Sequence, residues 1–359
     1  MSKILYAAST MSHINNFHRP YIDALKALGH EVMIMANGEG ADFDIPFVKK
    51  MLSLKNTACR SEIRKILKRE KFDTVILNTT LAAFHIRLAM PKKNRPRVVN
   101  IVHGYLFSAK LNSVKANLLL WCERILRKKT DEIIVMNEED LRIAKRHKLC
   151  LGKVTLSLGM GATVKDIKTA PEKIRKHISA EDSYLLCFVG ELSSRKNQRF
   201  LICALPELKI RIPKVKLVFV GSGDKKDELE KLAEKLHVSD AVCFYGYTPT
   251  PCDVIYASDL YVSASEVEGM PFNIIEALGV GKTLLISGVK GHVDLITHGE
   301  NGYIFGHANI LDFAEKVKAI YSGELTMPDE EKIRETYEKY SFANVYEQTL
   351  ALIKEAAEL

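Results

Sequence analysis

The sequence predicts an α/β protein made of two doubly wound, Rossmann-like parallel-sheet domains facing each other across a cleft. Three observations carry that expectation. The chain has 359 residues, more than a single core of ordinary size accommodates. Short continuous Val/Ile/Leu runs recur along it, as in strands buried on both faces of a parallel sheet. Segments with apolar residues at helical spacing alternate with those runs. With 47% apolar and 27% charged residues, the composition is that of a globular protein and excludes disorder, collagen and coiled coil.

The elements follow in order. Residues 3–8 read as a strand, 17–28 as a helix ended by Gly29, and 32–36 as a buried strand. Residues 61–71 read as a helix, 74–77 and 98–102 as strands, and 114–129 as a helix. Strand 133–136, helix 138–146 and strand 154–158 close the first unit. Gly159, Gly161 and the charged stretch 165–176 suggest a linker. The second unit repeats the alternation, with strands 184–189, 216–220, 241–245, 260–264 and 283–287. Its helices are expected at 198–208, 225–236 and 271–279. The expected domains are 1–165, 166–340, and a C-terminal helical segment 341–359 that packs back on the first.

Charge is unevenly divided. Residues 1–160 hold 28 Lys+Arg against 14 Asp+Glu, and residues 161–359 hold 24 against 30. A basic half suggests an anionic partner, although a solvated surface is the plain alternative. Clustering favours a partner. Arg60, Arg64, Lys65, Lys68, Arg69 and Lys71 surround Ile63, Ile66 and Leu67, and Arg124, Arg127, Lys128 and Lys129 follow Leu118-Leu-Leu-Trp121. No stacking aromatics interleave with these residues, which argues against nucleic acid. An anionic membrane surface fits better, at about 1 kcal/mol per basic residue near the lipid. The charge-free stretch 74–86 contains Asn78 and His85 and is too short and polar to span a bilayer. Met1-Ser-Lys-Ile-Leu5 runs straight into a strand pattern, without a leader. Seven Cys without a Cys-x-x-Cys pair suggest reduced thiols. The expected location is cytoplasmic, peripheral on the inner face of the cell membrane.

The chemistry concentrates in Ser265-Glu-Val-Glu-Gly-Met-Pro-Phe-Asn-Ile-Ile-Glu276. A strand ends just before it, and Pro271 suits a helix's first turn. Helix N-termini favour phosphate, and Gly269 lets a ligand approach the backbone. A carboxylate accepts hydrogen bonds from two neighbouring hydroxyls, such as those of a sugar or a ribose. Glu268 before the helix and Glu276 within it therefore suit a nucleotide sugar. The competing reading is an acidic first turn that complements the helix dipole. Gly221-x-Gly223 lacks the third glycine of a dinucleotide fingerprint, so no cofactor is expected. Asp42-Phe-Asp44 reads as a turn, the 11 His are dispersed along the chain, and no metal site is expected.

The segment resembles the Glu-x7-Glu signature of the retaining, nucleotide-sugar-dependent glycosyltransferases of family 4, which have the GT-B fold. Further landmarks resemble that family in the same order. They are Phe188-Val-Gly-Glu-Leu-Ser-Ser-Arg-Lys-Asn-Gln198, Leu217-Val-Phe-Val-Gly-Ser-Gly223, Val242-Cys-Phe-Tyr-Gly-Tyr247, Ser287-Gly-Val-Lys-Gly-His-Val-Asp-Leu-Ile296 and Gly299-Glu-Asn-Gly-Tyr-Ile-Phe305. In the first half, His103-Gly104 resembles the family's His-Gly. Phe17-His-Arg-Pro-Tyr21 and Asn137-Glu-Glu-Asp140 resemble its bacterial exopolysaccharide and capsule branch.

The resemblance implies roles. Glu276 would hold the ribose hydroxyls and Glu268 those of the transferred sugar. The backbone of Gly269, Met270 and Phe272 would face the diphosphate and sugar, and Lys196 would neutralise the leaving diphosphate. Gly190, Gly246, Arg195 and Asn273 would complete the donor shell. His103 would sit by the reacting sugar, unless it is an ordinary hydrogen-bonded histidine at a strand end. Glu191 stands where the family usually has Arg, so either Arg195 supplies that charge or Lys196 and backbone groups hold the diphosphate. The family's glycine-rich loop after the first strand is replaced by 9–16, where Ser12, His13 or Asn15 would contact the acceptor. The implied activity is metal-independent, retaining transfer of a sugar, such as an N-acetylhexosamine from a UDP-sugar, onto a polyprenyl-diphosphate-linked saccharide in bacterial exopolysaccharide or capsule synthesis. A nucleotide-sugar epimerase of the same two-domain plan and a non-catalytic membrane-surface subunit are the alternatives.

Overall fold

The computed structural model describes every residue except 49, 50, 52, 92, 111 and 112. The chain divides into two compact units, Met1–Met160 with Val345–Leu359, and Gly161–Asn344. The strands of the first are β1 (Lys3–Thr10), β2 (Glu31–Asn37), β3 (Phe43–Asp44), β4 (Thr74–Asn78), β5 (Arg97–Val102), β6 (Glu132–Val135) and β7 (Val154–Leu156). They form one parallel sheet in the order β3-β2-β1-β4-β5-β6-β7. The second unit holds β8 (Tyr184–Val189), β9 (Val215–Val220), β10 (Val242–Gly246), β11 (Leu260–Ser263), β12 (Leu284–Ser287) and β13 (Tyr303–Phe305). Its parallel order is β10-β9-β8-β11-β12-β13. The strand order reverses beside β1 and beside β8, and ligands of such sheets bind at the carboxyl ends of the strands there.

The two Rossmann-like sheets match the expected fold class, because continuous apolar runs become fully buried strands; every residue of β4 and β11 is buried. The differences have local causes. Asp42-Phe-Asp44 is not merely a turn: it supplies the short edge strand β3. Asp42 accepts from Ile34 N at 2.7 Å and Asp44 from Gly38 N at 3.0 Å, so both carboxylates serve the backbone. The expected linker 165–176 contains the start of a helix, Pro171–His177. Its Arg175 donates to Ala257 O at 2.9 Å and pairs with Asp259 at 2.8 Å. Helix Thr80–Ala89 buries residues all around its axis, so it has no amphipathic period to read.

That buried helix carries Arg87, which is fully buried and meets Glu123 of helix Val114–Leu126 through two hydrogen bonds of 2.9 Å. Arg87 also donates to Ala83 O and Thr130 Oγ1. Such a pair persists only when its hydrogen bonds are made together. The C-terminal helix Phe342–Ala357 belongs to the first unit over most of its length. Thr349 Oγ1 donates to Gly159 O at 2.8 Å, and Arg97 Nε donates to Ala356 O at 2.7 Å.

Glu123→Ala is expected to lower stability by about 3–5 kcal/mol, because it leaves Arg87 buried and uncompensated. Replacing both partners by apolar residues of similar volume should recover most of that loss, which urea unfolding of the two variants will measure.

Candidate functional site

The carboxyl ends of the second sheet are shaped by glycine. Gly190, at the end of β8, has φ +155° and donates to Val220 O; Gly221 N donates to Gly246 O, joining the ends of β9 and β10. A Cβ at Gly221 would lie 2.2 Å from Gly190 O, and one at Gly223 would lie 2.2 Å from Leu192 O. The turns after β8 and β9 therefore pack backbone against backbone, which no side chain permits.

From the turn after β8 the chain passes through Arg195 and Lys196 into helix Gln198–Arg211. Lys196 Nζ donates to Glu268 Oε1 at 2.7 Å, and Arg195 donates to Glu268 Oε2 at 2.6 Å and to Val267 O at 3.3 Å. Glu268 is only 5% exposed and Lys196 8%. Burial by itself would raise the Glu268 carboxyl. Lys196 and then Arg195 outweigh it and hold it down to about 2. Burial pulls the Lys196 ammonium below its ordinary value, with Glu268 opposing. The triad carries a net charge of +1. Glu191 is exposed, whereas Arg195 stands on the same carboxylate as Lys196.

Glu268 lies in the loop between β11 and helix Phe272–Gly279, which is capped by Pro271 and starts one residue later than expected. Gly269 and Met270 are buried in that loop, and Phe272 opens the helix. Asn273 donates to Val189 O at 2.8 Å and to Tyr261 Oη at 2.7 Å, so both its amide hydrogens tie the helix to β8 and β11. Glu276 sits one turn in. Its carboxylate has no hydrogen bond or ion pair among the described residues, and burial pushes it up to about 7 despite the opposing charge of Lys165.

Three features of this site went unassigned in the sequence. A Cβ at Gly291 would lie 2.8 Å from Glu268 Cβ and from Gly269 O, so the loop after β12 presses directly on the Glu268 loop. His292 next to it is fully buried and held neutral by burial, at about 4, with Nδ1 2.9 Å from Ser287 O and Nε2 3.3 Å from Ser263 Oγ. Ser193 Oγ is buried without a hydrogen-bond partner among the described residues. The 287–296 landmark contains Gly291 and His292, but nothing in its spacing shows what they touch.

In the first unit, the helix expected at 17–28 begins earlier. Met11–His13 follows β1 directly, a π-helical turn spans Ile14–His18, and Arg19–Ala27 continues as α-helix. His13 and His18 come together with Nε2 atoms 3.2 Å apart. His103, just after β5, meets both rings edge-on, at centroid distances of 4.8 and 4.9 Å. Dispersed in sequence, three of the histidines are thus neighbours in space, with ligand atoms within 4.8 Å of one another. Ser12 and Asn15 are exposed and stand apart from this cluster. Ser12 Oγ accepts from Asn16 at 3.4 Å and Asn15 Oδ1 accepts from Arg19 at 2.7 Å.

Comparison with known proteins agrees with both halves. The family model described as Glycosyl transferases group 1 matches residues 169–340, and that of Glycosyltransferase Family 4 matches residues 21–156. EpsD of Bacillus subtilis, named as a candidate glycosyltransferase, is 30% identical over 96% of this chain and 94% of its own length. An Escherichia coli enzyme named UDP-Gal:alpha-D-GlcNAc-diphosphoundecaprenol alpha-1,3-galactosyltransferase is 26% identical over 73% of this chain and 70% of its own. The fold is shared with HepE of Anabaena, solved with UDP and glucose, at a TM-score of 0.78 and 17% identity over 99% of this chain and 100% of that one. The fold class is therefore GT-B, two Rossmann-like α/β domains. The chain belongs to the family 4/group 1 glycosyltransferases.

The folded Glu276 binds its proton more tightly than an exposed glutamate does. Its contribution to stability is therefore present below about pH 4.5 and is lost as the pH rises towards about 7. Glu276→Gln should flatten that slope and melt higher than the parent at pH 8, as read by melting temperature against pH.

Proposed function

We propose that this glycosyltransferase uses a UDP-sugar held at the carboxyl ends of β8–β11. The observation that carries the reading is the contrast between two glutamates of one segment. Glu268 is buried and fixed by Lys196 and Arg195, while the Glu276 carboxylate has no hydrogen bond or ion pair among the described residues. An unpaired, partly buried carboxylate suits two ribose hydroxyls, both of which donate. The net positive triad suits a diphosphate, whose charge grows as the glycosidic bond breaks. Arg195 and Lys196 then do what a divalent ion does at other diphosphates, and donor activation needs no metal there. HepE, of the same fold, was solved with UDP-glucose as well as with UDP, which supports UDP as the donor's nucleotide.

Transfer with retention fits this chemistry. Glu268 is locked between two cations and is a poor covalent nucleophile. The acceptor oxygen forms its bond to the anomeric carbon on the face from which the diphosphate departs, and its proton passes to a diphosphate oxygen. The chain's contribution is positioning and charge, with His103 assigned to the reacting sugar and Ser12, His13 and Asn15 to the acceptor. The proposed acceptor is a saccharide on a polyprenyl diphosphate in exopolysaccharide or capsule synthesis. The E. coli galactosyltransferase is named for such an acceptor, as is a Campylobacter jejuni relative that is 28% identical over 48% of this chain.

A lipid-borne acceptor suits a chain that docks on a membrane. No described helix is long and apolar enough to cross one. Helix Val114–Leu126 exposes Val114, Leu118, Trp121 and Ile125, spaced to share one face, next to exposed Arg124, Arg127 and Lys128. In the first basic cluster, Arg60 donates to His85 and Arg64 to Ala89 O, while Lys65, Lys68 and Lys71 are exposed. The anionic leaflet is thus met by part of that cluster and by this helix.

Lys196→Ala and Glu276→Ala should each lower sugar transfer by about 10²–10³-fold while the chain stays folded; full activity with every nucleotide sugar would remove the site. Trp121 is the sole tryptophan of the chain, so its emission reports docking directly. It should shift to the blue on vesicles containing anionic lipid and return on adding salt. Unchanged emission would remove this face from the membrane.

A further inference from the structure

We propose that His13, His18 and His103 form a binding site for a zinc-type divalent transition ion in the first unit. The donor site of the second unit does not enter this inference; with an ion bound, His13 and His103 would meet hydroxyl compounds through it. All three rings belong to the same unit, at the carboxyl ends of β1 and β5. Their placement depends on the π-helical turn Ile14–His18. In a regular α-helix, residues four apart share a face. A π turn closes its hydrogen bonds five residues apart, so it brings His13 and His18 together.

The spacing suits an ion. Zinc–nitrogen bonds of about 2.0–2.1 Å in a tetrahedral site put neighbouring ligand nitrogens about 3.3–3.4 Å apart. His13 Nε2 and His18 Nε2 are 3.2 Å apart, and the ligand atoms of all three lie within 4.8 Å. A side-chain rotation moving His103 by roughly 1–1.5 Å would complete the tripod.

The unmet hydrogen bonding points the same way. Among the described residues, His103 Nε2 is buried with no hydrogen-bond partner. Without an ion, a proton must lie between His13 and His18, giving a chain Tyr6–His18–His13 that still leaves His103 Nε2 unsatisfied. An ion gives all three nitrogens a partner. It also gives Tyr6 a role. Tyr6 Oη is 2.9 Å from His18 Nδ1, and a ligating histidine usually donates its other N–H to such an acceptor. Imidazole-only ligation selects zinc, copper, nickel or iron over magnesium or calcium. Three protein ligands leave a fourth position for an oxygen of water or of a bound hydroxyl compound.

The test uses the full chain stripped with a chelator, titrated calorimetrically with Zn²⁺ and with Mg²⁺, and separately loaded with Co²⁺ for its visible absorption. The expected result is one Zn²⁺ per chain, no Mg²⁺ heat, and the intense bands of four-coordinate Co²⁺. His103→Ala and His13→Ala should abolish those bands, and Tyr6→Phe should weaken Zn²⁺ binding by about 10–100-fold. Circular dichroism and melting temperature report the fold of each variant, and His103→Gln replaces any variant that fails to fold. Absence of stoichiometric Zn²⁺ binding, or binding unchanged in folded His103 and His13 variants, overturns the proposal and leaves a hydrogen-bonded histidine chain. UDP binding by the parent, measured in the same calorimeter, tests the donor site separately.

Discussion

The second unit depends on a carboxylate placed where water cannot reach it. Glu268 keeps its charge because Lys196 and Arg195 approach from one side, each within hydrogen-bond distance of a different oxygen. Removing a charge from water costs several kcal/mol, and only close partners with good geometry offset it. The neighbouring backbone is arranged around that requirement. A Cβ at Gly190 would crowd the Phe188 ring at 3.3 Å, and the Lys196 stem lies beside it. Gly291 lets the loop after β12 close over Glu268, and Glu266 N donates to Arg195 O to hold the two loops together. The result is a rigid, net positive patch at the end of the sheet, suited to an anion.

Eight residues further along the chain, the other glutamate has the opposite surroundings. Glu276 has comparable burial pressure and no cation in contact, so its proton leaves near neutrality, whereas that of Glu268 leaves near pH 2. One segment thus holds a permanent anion and a carboxyl group whose charge depends on what it binds. Environments that separate the pKa values of two like groups are a usual way for a site to give them different work. Asn273, between them in sequence, fixes the helix that carries Glu276 against the ends of β8 and β11.

The first unit answers a different constraint. Its sheet ends meet a π turn rather than a glycine-rich loop, and side chains fill the space that a bare backbone would leave. His18 is buried against Tyr6, and Tyr21 donates to Met160 O. Helix Thr80–Ala89 packs against both Leu54–Glu70 and Val114–Leu126, and the Arg87–Glu123 pair fixes the second of these contacts. The outward face of Val114–Leu126 exposes its apolar side chains, and no other element among the described residues covers them.

The sequence by itself determined the two parallel sheets, most of their strands and the segment holding Glu268 and Glu276. These features are encoded locally, in continuous apolar runs, in strand-ending glycines and in residues close together along the chain. It could not show helix Thr80–Ala89, which is buried all round and has no period, or the short edges β3 and β13, which exist by pairing with a neighbour. Only the tertiary structure decided that both Arg195 and Lys196 grip Glu268, that Gly291 and His292 support it, and that His103 joins His13 and His18. The contacts of Glu268 with its two cations and of His103 with the other histidines link residues about 70 or more positions apart, and those of Gly291 with the Glu268 loop more than 20, whereas the His13–His18 pair turns on one extra residue in a helical turn. Distance in space between such residues is set by strand order and loop packing, and no spacing along a chain encodes it.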